Sequence, residues 1–209
     1  MSMIRDIAER KGIYTVMWDD GASLKVRRKH FAQRPLSTGD TADPEDYESS
    51  IAAIQFADAY EAALTLLDYS AKSESKLVES LVSKGYVPSA AQAAAAKLRE
   101  AGLIDDRALA DRLARSVSAG AVGIYAAKRK LRGKGISDED AEAALEVLDD
   151  DQQLAAAVKT GEKFLRKYEE LPLPERKRKL SQALARRGFS WDTVSSAMEK
   201  LIGGADDYD

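Results

Sequence analysis

Near its start the chain contains two runs rich in the apolar and β-branched residues that favour strands. These runs are residues 13–18 and 22–27, and the segment between them contains Gly21. Glycine readily adopts the backbone conformations that a tight turn needs. We therefore expect a small N-terminal β-hairpin.

A loop and a helix are predicted after the hairpin. Residues 33–41 include proline, serine and glycine and are typical of a loop. Asp43 and Pro44 then suit the N-cap and the first position of a helix. This helix is predicted to run, with one break, to Leu67.

From about residue 58 onward, apolar residues recur at three- and four-residue spacing, which predicts helices. One ten-residue pattern occurs three times: apolar, three variable residues, leucine, two variable residues, a base, glycine, apolar. The copies span 77–86, 127–136 and 180–189. In each copy an alanine lies nine residues after the glycine and a leucine thirteen after it. This shared register predicts three copies of one structural unit.

The glycines of the pattern predict helix C-termini, because a left-handed residue commonly ends a helix and glycine adopts that conformation most cheaply. Gly85, Gly135 and Gly188 are 50 and 53 residues apart. Another apolar helical segment precedes each copy, at 62–67, 109–117 and 155–165. Each unit is therefore predicted to contain three helices.

The fold class that follows is mainly α, with three tandem three-helix repeats after the N-terminal β-hairpin and helix. Hydrophobic residues make up 44% of the 209 residues but aromatic ones only 7%, so many thin helix contacts must form the core. That composition favours an elongated body. The predicted boundaries are 1–57 for the hairpin and helix, 58–104, 105–150 and 151–202 for the repeats, and 203–209 for an acidic tail.

Charge is segregated along the chain, although the net charge is only −3. Residues 124–135 hold five bases and no acid, and residues 138–151 hold eight acids and no base. Residues four apart share a helix face, so Lys128 and Arg132 should point outward together, with the acids of the next helix on another side of the repeat. The candidate contacts for a partner that carries phosphates or carboxylates are Lys128, Arg129, Lys130, Arg132, Lys134, Arg176, Lys177, Arg178, Lys179, Arg186 and Arg187.

Two interpretations of these bases remain open. An ordinary solvated helix face explains them, because the helix dipole favours bases near a C-terminus. A stripe that contacts phosphates or an acidic protein surface explains them equally well. The recurrence of bases at corresponding positions of two repeats favours the stripe.

The sequence contains no catalytic constellation, and we expect neither enzyme activity nor a metal or cofactor. It has no cysteine and a single histidine, His30, which excludes thiolate sites and His-rich metal sites. The three bases that precede His30 are expected to lower its pKa by repulsion. Asp105 and Asp106 are interpreted as helix-capping carboxylates rather than as a metal pair.

Several segments together resemble the RecX family of recombination regulators. The most specific are 98–106, 108–113 and the end of the third repeat at 184–189. The resemblance covers essentially the whole chain, including the hairpin and the helix after it. Two positions depart from it: Ser70 stands where family members commonly have arginine, and Leu109 where they commonly have phenylalanine.

The resemblance implies a curved body of three repeats that lies in the helical groove of a RecA filament on single-stranded DNA. It implies inhibition of ATP hydrolysis, strand exchange and coprotease activity, and promotion of filament disassembly. A role in recombination regulation, DNA repair and the SOS response follows. The expected partners are the RecA filament, single-stranded DNA and, more weakly, duplex DNA.

We further expect a monomer in the cytoplasm without a membrane partner, since no segment has the apolar length of a signal peptide or a membrane span. One alternative stays open. Three-helix units with a tight turn are also similar to helix-turn-helix domains. The chain would then be a general DNA-binding helical module that acts without RecA.

Overall fold

The computed structural model describes residues 1–118, 122–146 and 148–203, without the side chains of 117 and 118. The chain divides into two compact units, unit 1 (Met1–Asp106) and unit 2 (Arg107–Asp209). Unit 1 combines a small sheet with helices, and the described part of unit 2 is helical. The mainly α fold class is confirmed, while the boundaries of the individual repeats stay predictions.

A four-stranded antiparallel sheet opens unit 1. Its strands are β1 (Ser2–Arg10), β2 (Ile13–Trp18), β3 (Ser23–Arg27) and β4 (Thr41–Ala42), in the spatial order β3-β2-β1-β4. The β2–β3 hairpin is confirmed, but the sequence pattern missed β1 and β4. A register shift between Ile4 and Asp6 breaks the alternation of β1, which hides this strand from a period-two reading.

Four helices follow or interrupt the strands of unit 1, at α1 (Arg28–Phe31), α2 (Pro44–Tyr69), α3 (Glu74–Ser83) and α4 (Pro88–Glu100). The side chain of Asp43 accepts hydrogen bonds from the backbone N–H groups of Glu45 and Asp46, so the predicted N-cap is confirmed. The predicted break in α2 is wrong. After Pro44 this helix contains neither proline nor glycine, so no residue interrupts its backbone hydrogen bonds.

The helices that follow are α5 (Asp106–Ser118), α6 (Ile124–Gly133), α7 (Asp138–Leu145), α8 (Asp150–Lys167), α9 (Leu173–Arg186) and α10 (Trp191–Ile202). They build two apolar clusters. The first joins α5, α6 and α7 around the buried Leu131. The second joins α8, α9 and α10 around Leu180 and Leu184. Unit 2 therefore contains two three-helix groups.

The three predicted glycine turns are confirmed. Gly85, Gly135 and Gly188 have φ angles of 87°, 77° and 83°. In each turn the residue after the glycine donates its backbone N–H to the carbonyl of the leucine five positions earlier, with N···O distances of 3.2, 3.2 and 3.4 Å. This is the Schellman hydrogen bond, and the leucine is buried in all three turns.

A buried polar network links the sheet region of unit 1 to its first glycine turn. The Gln55 amide nitrogen donates to the Gly85 carbonyl at 3.1 Å and to Nδ1 of His30 at 3.2 Å, and its oxygen accepts from the Val87 N–H at 2.7 Å. Nε2 of His30 then donates to Asp58 Oδ2 at 2.6 Å. This arrangement satisfies both ring nitrogens of a neutral histidine.

The pKa of His30 is lowered, as predicted, but mainly for another reason. Burial of the ring in unit 1 has the largest effect, because it disfavours the charged form. Repulsion by Lys29 and Arg27 adds to this lowering, and the hydrogen bond to Asp58 opposes it. The attribution of the shift to neighbouring bases alone was wrong.

The remaining expectations concern the acidic tail, membrane-spanning segments and the carboxylates at positions 105 and 106. The predicted acidic tail lies outside the described residues, apart from Gly203. Within the described ranges, no helix is both long and apolar enough to cross a membrane.

Asp106 accepts a hydrogen bond from the backbone N–H of Glu74, the first residue of α3, so this carboxylate serves a helix N-terminus.

Candidate functional site

Helix α6 presents one apolar and one basic side. Ala127 and Leu131 are buried in the first cluster of unit 2. Of the bases, Lys128 is half-buried, whereas the others are exposed. The exposed bases of this helix and its C-cap are Arg129, Lys130, Arg132 and Lys134. The predicted outward direction is thus confirmed for Arg132 and is only partly correct for Lys128.

The acidic helix α7 contacts this basic face directly. Lys128 forms an ion pair with Glu142, and Arg132 forms one with Asp138. The ion pair holds the pKa of the Asp138 carboxyl below its usual range and raises that of Arg132. The expectation that the acids lie on another side of the repeat is therefore wrong for Asp138 and Glu142. Among the described residues, Arg129 and Lys130 make no ion pair.

Helix α9 carries four consecutive bases, Arg176 to Lys179, in its first two turns. Arg176 is half-buried, and its guanidinium donates to the Leu171 carbonyl at 3.1 Å. Lys179 lies 3.2 Å from the Glu175 carboxylate. Arg178 is exposed, and Lys177 is half-buried. The four neighbouring bases therefore have different environments, and Arg178 is the most accessible to a partner.

The last bases of α9 lie at its C-terminus. Arg186 and Arg187 are both exposed. The guanidinium carbon of Arg187 lies 5.7 Å from the centroid of the Phe164 ring, within the range of a cation–π contact. The side chain of Arg187 therefore packs on its own unit while remaining open to solvent.

The position of these bases bears on the two interpretations of the charge pattern. A helix dipole favours cations at the C-terminus and disfavours them at the N-terminus. Arg186 and Arg187 lie where the dipole favours a base. The first four bases of α9 lie in the first half of the helix, away from its C-terminus, so the dipole does not explain them.

The structure brings one end of α9 against one end of α6. The backbone N–H of Gly123, the N-cap of α6, donates to the Arg187 carbonyl at 3.0 Å, and that of Tyr125 donates to the Gly188 carbonyl at 2.9 Å. Arg186 and Arg187 therefore lie next to α6. The first bases of α9 lie about 15 Å further along its axis, from a rise of about 1.5 Å per residue.

The described residues contain no group of three or more histidine, cysteine, aspartate or glutamate side chains that could hold a metal ion. What unit 2 offers instead is a set of accessible bases on two helices that meet at one backbone junction. Such bases contact phosphates or carboxylates.

Comparison with known proteins identifies the family. A model described as "RecX, third three-helix domain" matches residues 150–198, and one described as "RecX, first three-helix domain" matches residues 59–98. The regulatory protein RecX of Pelodictyon phaeoclathratiforme is 33% identical over 150 residues, which cover 69% of this chain and 90% of that protein. The chain belongs to the RecX family.

Other members of the RecX family agree with this result along nearly the whole chain. The regulatory protein RecX of Limosilactobacillus reuteri is 29% identical over 195 residues, covering 93% of this chain and 74% of that protein. A crystal structure of regulatory protein RecX has a TM-score of 0.64 at 28% identity and covers 98% of this chain and 100% of its own. The matches to the models of the third and first three-helix domains fall on residues 150–198 and 59–98, and the boundaries of the individual repeats stay predictions.

Two exposed aromatic residues of this RecX family member are not among the candidate site residues predicted from the sequence. Tyr125 on α6 is 61% exposed and Trp191 at the start of α10 is 72% exposed. Both positions occur within helical segments where an aromatic residue is more often part of the core. No periodicity distinguishes them, because exposure of a single side chain depends on which helices pack around it.

Proposed function

We propose that this protein is a non-enzymatic regulator that binds RecA filaments on single-stranded DNA. It inhibits the ATP hydrolysis, strand exchange and coprotease activity of the filament and promotes its disassembly. The observation that carries the proposal is the set of accessible bases on α6 and α9, in a chain that belongs to a family of regulatory proteins. Its place of action is the cytoplasm, where a RecA filament on DNA would be met.

The contact is proposed to involve the bases that the protein does not neutralise itself. Lys128 and Arg132 already have carboxylate partners on α7. Arg129 and Lys130 have no such partner among the described residues, and Arg178 is exposed near the start of α9. A partner that carries phosphates or carboxylates would satisfy these side chains, and a nucleic acid would release the cations condensed on its phosphates.

The first test is the ATPase activity of RecA on single-stranded DNA. Substoichiometric amounts of this protein should depress ATP turnover, because a regulator bound in a filament affects many subunits. Unchanged turnover at stoichiometric excess would refute the proposal. Filament lengths, measured by electron microscopy before and after addition, distinguish blocked growth from active disassembly.

Charge reversal tests the assigned surface. The test variant replaces four exposed bases of unit 2 by glutamate, at Arg129, Lys130, Arg178 and Arg186. These substitutions leave the ion pairs of Lys128 and Arg132 in place. The matched control makes the same change in charge at four exposed bases of unit 1, at Arg5, Lys25, Arg34 and Lys97.

The unit 2 variant should lose inhibition by about tenfold or more, since each phosphate contact contributes to a steep electrostatic dependence of binding. The control variant should inhibit nearly as well as the unaltered protein. Equal losses in the two variants would show that net charge, and not this surface, is responsible.

The second candidate function is a DNA-binding module that acts without a recombinase. The run of bases in the first half of α9 favours it as much as it favours filament binding. Salt-dependent binding to duplex DNA with a dissociation constant of about 10 nM or tighter, in the absence of RecA, would support this candidate. Weak DNA binding that RecA strengthens would support the regulator.

A further inference from the structure

A cavity of about 430 Å³ lies within unit 2, between helices of its two three-helix groups. Residues of α6, α7, α8 and α10 line it. Its apolar walls include Ile124, Tyr125 and Leu145. The volume falls within the range of about 300–1,000 Å³ that is typical of sites for small ligands or single side chains with their surroundings.

One exposed aromatic side chain lines this cavity, and a second belongs to a residue next to a lining residue in sequence. Tyr125 lines it, and Trp191 directly follows the lining residue Ser190 in sequence. In the described part of unit 2, these are the two exposed large apolar side chains. Exposed tyrosine and tryptophan beside a cavity are typical of binding hot spots.

The charge at the cavity is acidic, in contrast to the basic sides of α6 and α9. Lys128 and Glu142 line the cavity but neutralise each other. Glu146 and Asp150 also line it and have no ion-pair partner among the described residues. These two carboxylates repel a phosphate group and attract a cation.

Glu146 has no ion-pair partner among the described residues, and its position in the fold does not favour a carboxylate. It is the C-cap residue of α7, where the negative end of the helix dipole disfavours a carboxylate. Asp150 differs, because it lies in the first turn of α8, where the dipole favours it. A charge that costs stability and has no internal partner points to an external one.

We propose that this cavity is a docking site for a protein segment that carries an apolar side chain flanked by lysine or arginine. The apolar side chain inserts between Tyr125 and Leu145, and the cationic side chains contact Glu146 and Asp150. The segment approaches a surface of opposite charge from that of the proposed filament-binding bases. The proposal does not depend on RecA, and its test contains no RecA.

The test measures binding of a labelled peptide to the full-length protein by fluorescence anisotropy. The probe peptide has two central leucines with two lysines on each side. Comparison peptides replace the leucines by serine or the lysines by glutamate, and a labelled oligothymidylate represents single-stranded DNA. Quenching of tryptophan fluorescence by acrylamide gives a second readout, because Trp18 is buried and Trp191 is exposed.

The probe peptide should bind and should protect Trp191 from acrylamide, whereas the serine and glutamate peptides should bind at least about tenfold more weakly. Glu146→Lys should weaken binding of the probe by about tenfold, and its effect on the helix dipole should favour folding. Tyr125→Ala should weaken binding to a similar extent. Glu162→Lys is the matched control, because Glu162 is exposed on α8 and does not line the cavity.

Three results would overturn the proposal. Equal weakening by Glu146→Lys and Glu162→Lys would indicate nonspecific attraction to an acidic protein. Equal binding of the leucine and serine peptides would exclude insertion of an apolar side chain. Binding of oligothymidylate that depends on Tyr125 would assign the cavity to a nucleic-acid base instead.

Discussion

Replacement of Gly188 by alanine tests the junction between α9 and α6. An added Cβ would lie 2.5 Å from Cβ and 2.9 Å from Cα of Ala126, and closer still to its backbone nitrogen. These atoms belong to the first turn of α6 and cannot rotate away. The same residue has a φ of 83°, in the left-handed region that glycine favours. Gly188→Ala therefore imposes a steric clash in addition to backbone strain.

Comparison with Gly102→Ala separates the steric clash from the backbone strain. Gly102 has a φ of 71° at the end of α4, and an added Cβ would meet no atom within 4 Å. In Gly102→Ala the free energy of unfolding should fall only by the cost of a left-handed alanine, about 1–2 kcal/mol. In Gly188→Ala the free energy of unfolding should fall by a further amount of about 2–4 kcal/mol, because of overpacking and of the weakened hydrogen bonds of Gly123 and Tyr125.

Urea unfolding followed by circular dichroism measures the two losses in free energy. Amide hydrogen exchange localises them, because the Tyr125 N–H donates to the Gly188 carbonyl. Protection of the Tyr125 amide should fall in Gly188→Ala and stay unchanged in Gly102→Ala. Equal destabilisation by the two substitutions, with the Tyr125 amide still protected, would refute the described contact.

Two other predictions concern the buried network of unit 1. Burial lowers the pKa of His30 below its ordinary 6.5, so the unfolded chain binds this proton more tightly. The contribution of neutral His30 to stability is complete above pH 6.5 and is lost as the pH falls below that value. His30→Gln should therefore flatten the decline in unfolding free energy between about pH 7 and pH 5.5. A decline that persists in the variant would contradict this assignment. Gln55→Leu leaves the Val87 N–H buried without an acceptor and should cost about 1–3 kcal/mol in urea unfolding, whereas Gln152→Leu on the exposed side of α8 should change stability by less than about 0.5 kcal/mol.

The helical repeats were predictable from sequence because each depends on one backbone requirement. Only glycine adopts the left-handed cap at low cost, so the spacing from Leu131 to Gly135 identifies the turn before any contact is known. The N-cap at Asp43 was visible for the same local reason. Features that a few neighbouring residues determine are thus recovered from the chain alone.

The strand β1 was missed because its local signal is disturbed. The apolar residues Ile4 and Ile7 are three positions apart, with the bulge between them. Charged residues occupy most of the other positions of this strand. A period-two pattern needs an unbroken register. The short strand β4 has only two residues and cannot produce a pattern at all.

The candidate site was predicted in part. The basic side of α6 followed from helical spacing around Leu131. The pairing of Lys128 with Glu142 did not, because it depends on how α7 packs after the glycine turn. The exposure of Trp191 likewise depends on the packing of neighbouring helices.

The ion pairs between α6 and α7 have a consequence for measurements of salt dependence. A phosphate that contacts Lys128 or Arg132 must compete with the carboxylate of Glu142 or Asp138. The cations condensed on that phosphate are still released, so the contact counts in the slope of log K against log salt. Breaking the internal ion pair opposes binding, so these two bases should add less affinity per counted contact than the unpaired bases do. The acids of α7 thus act as built-in competitors for the phosphate.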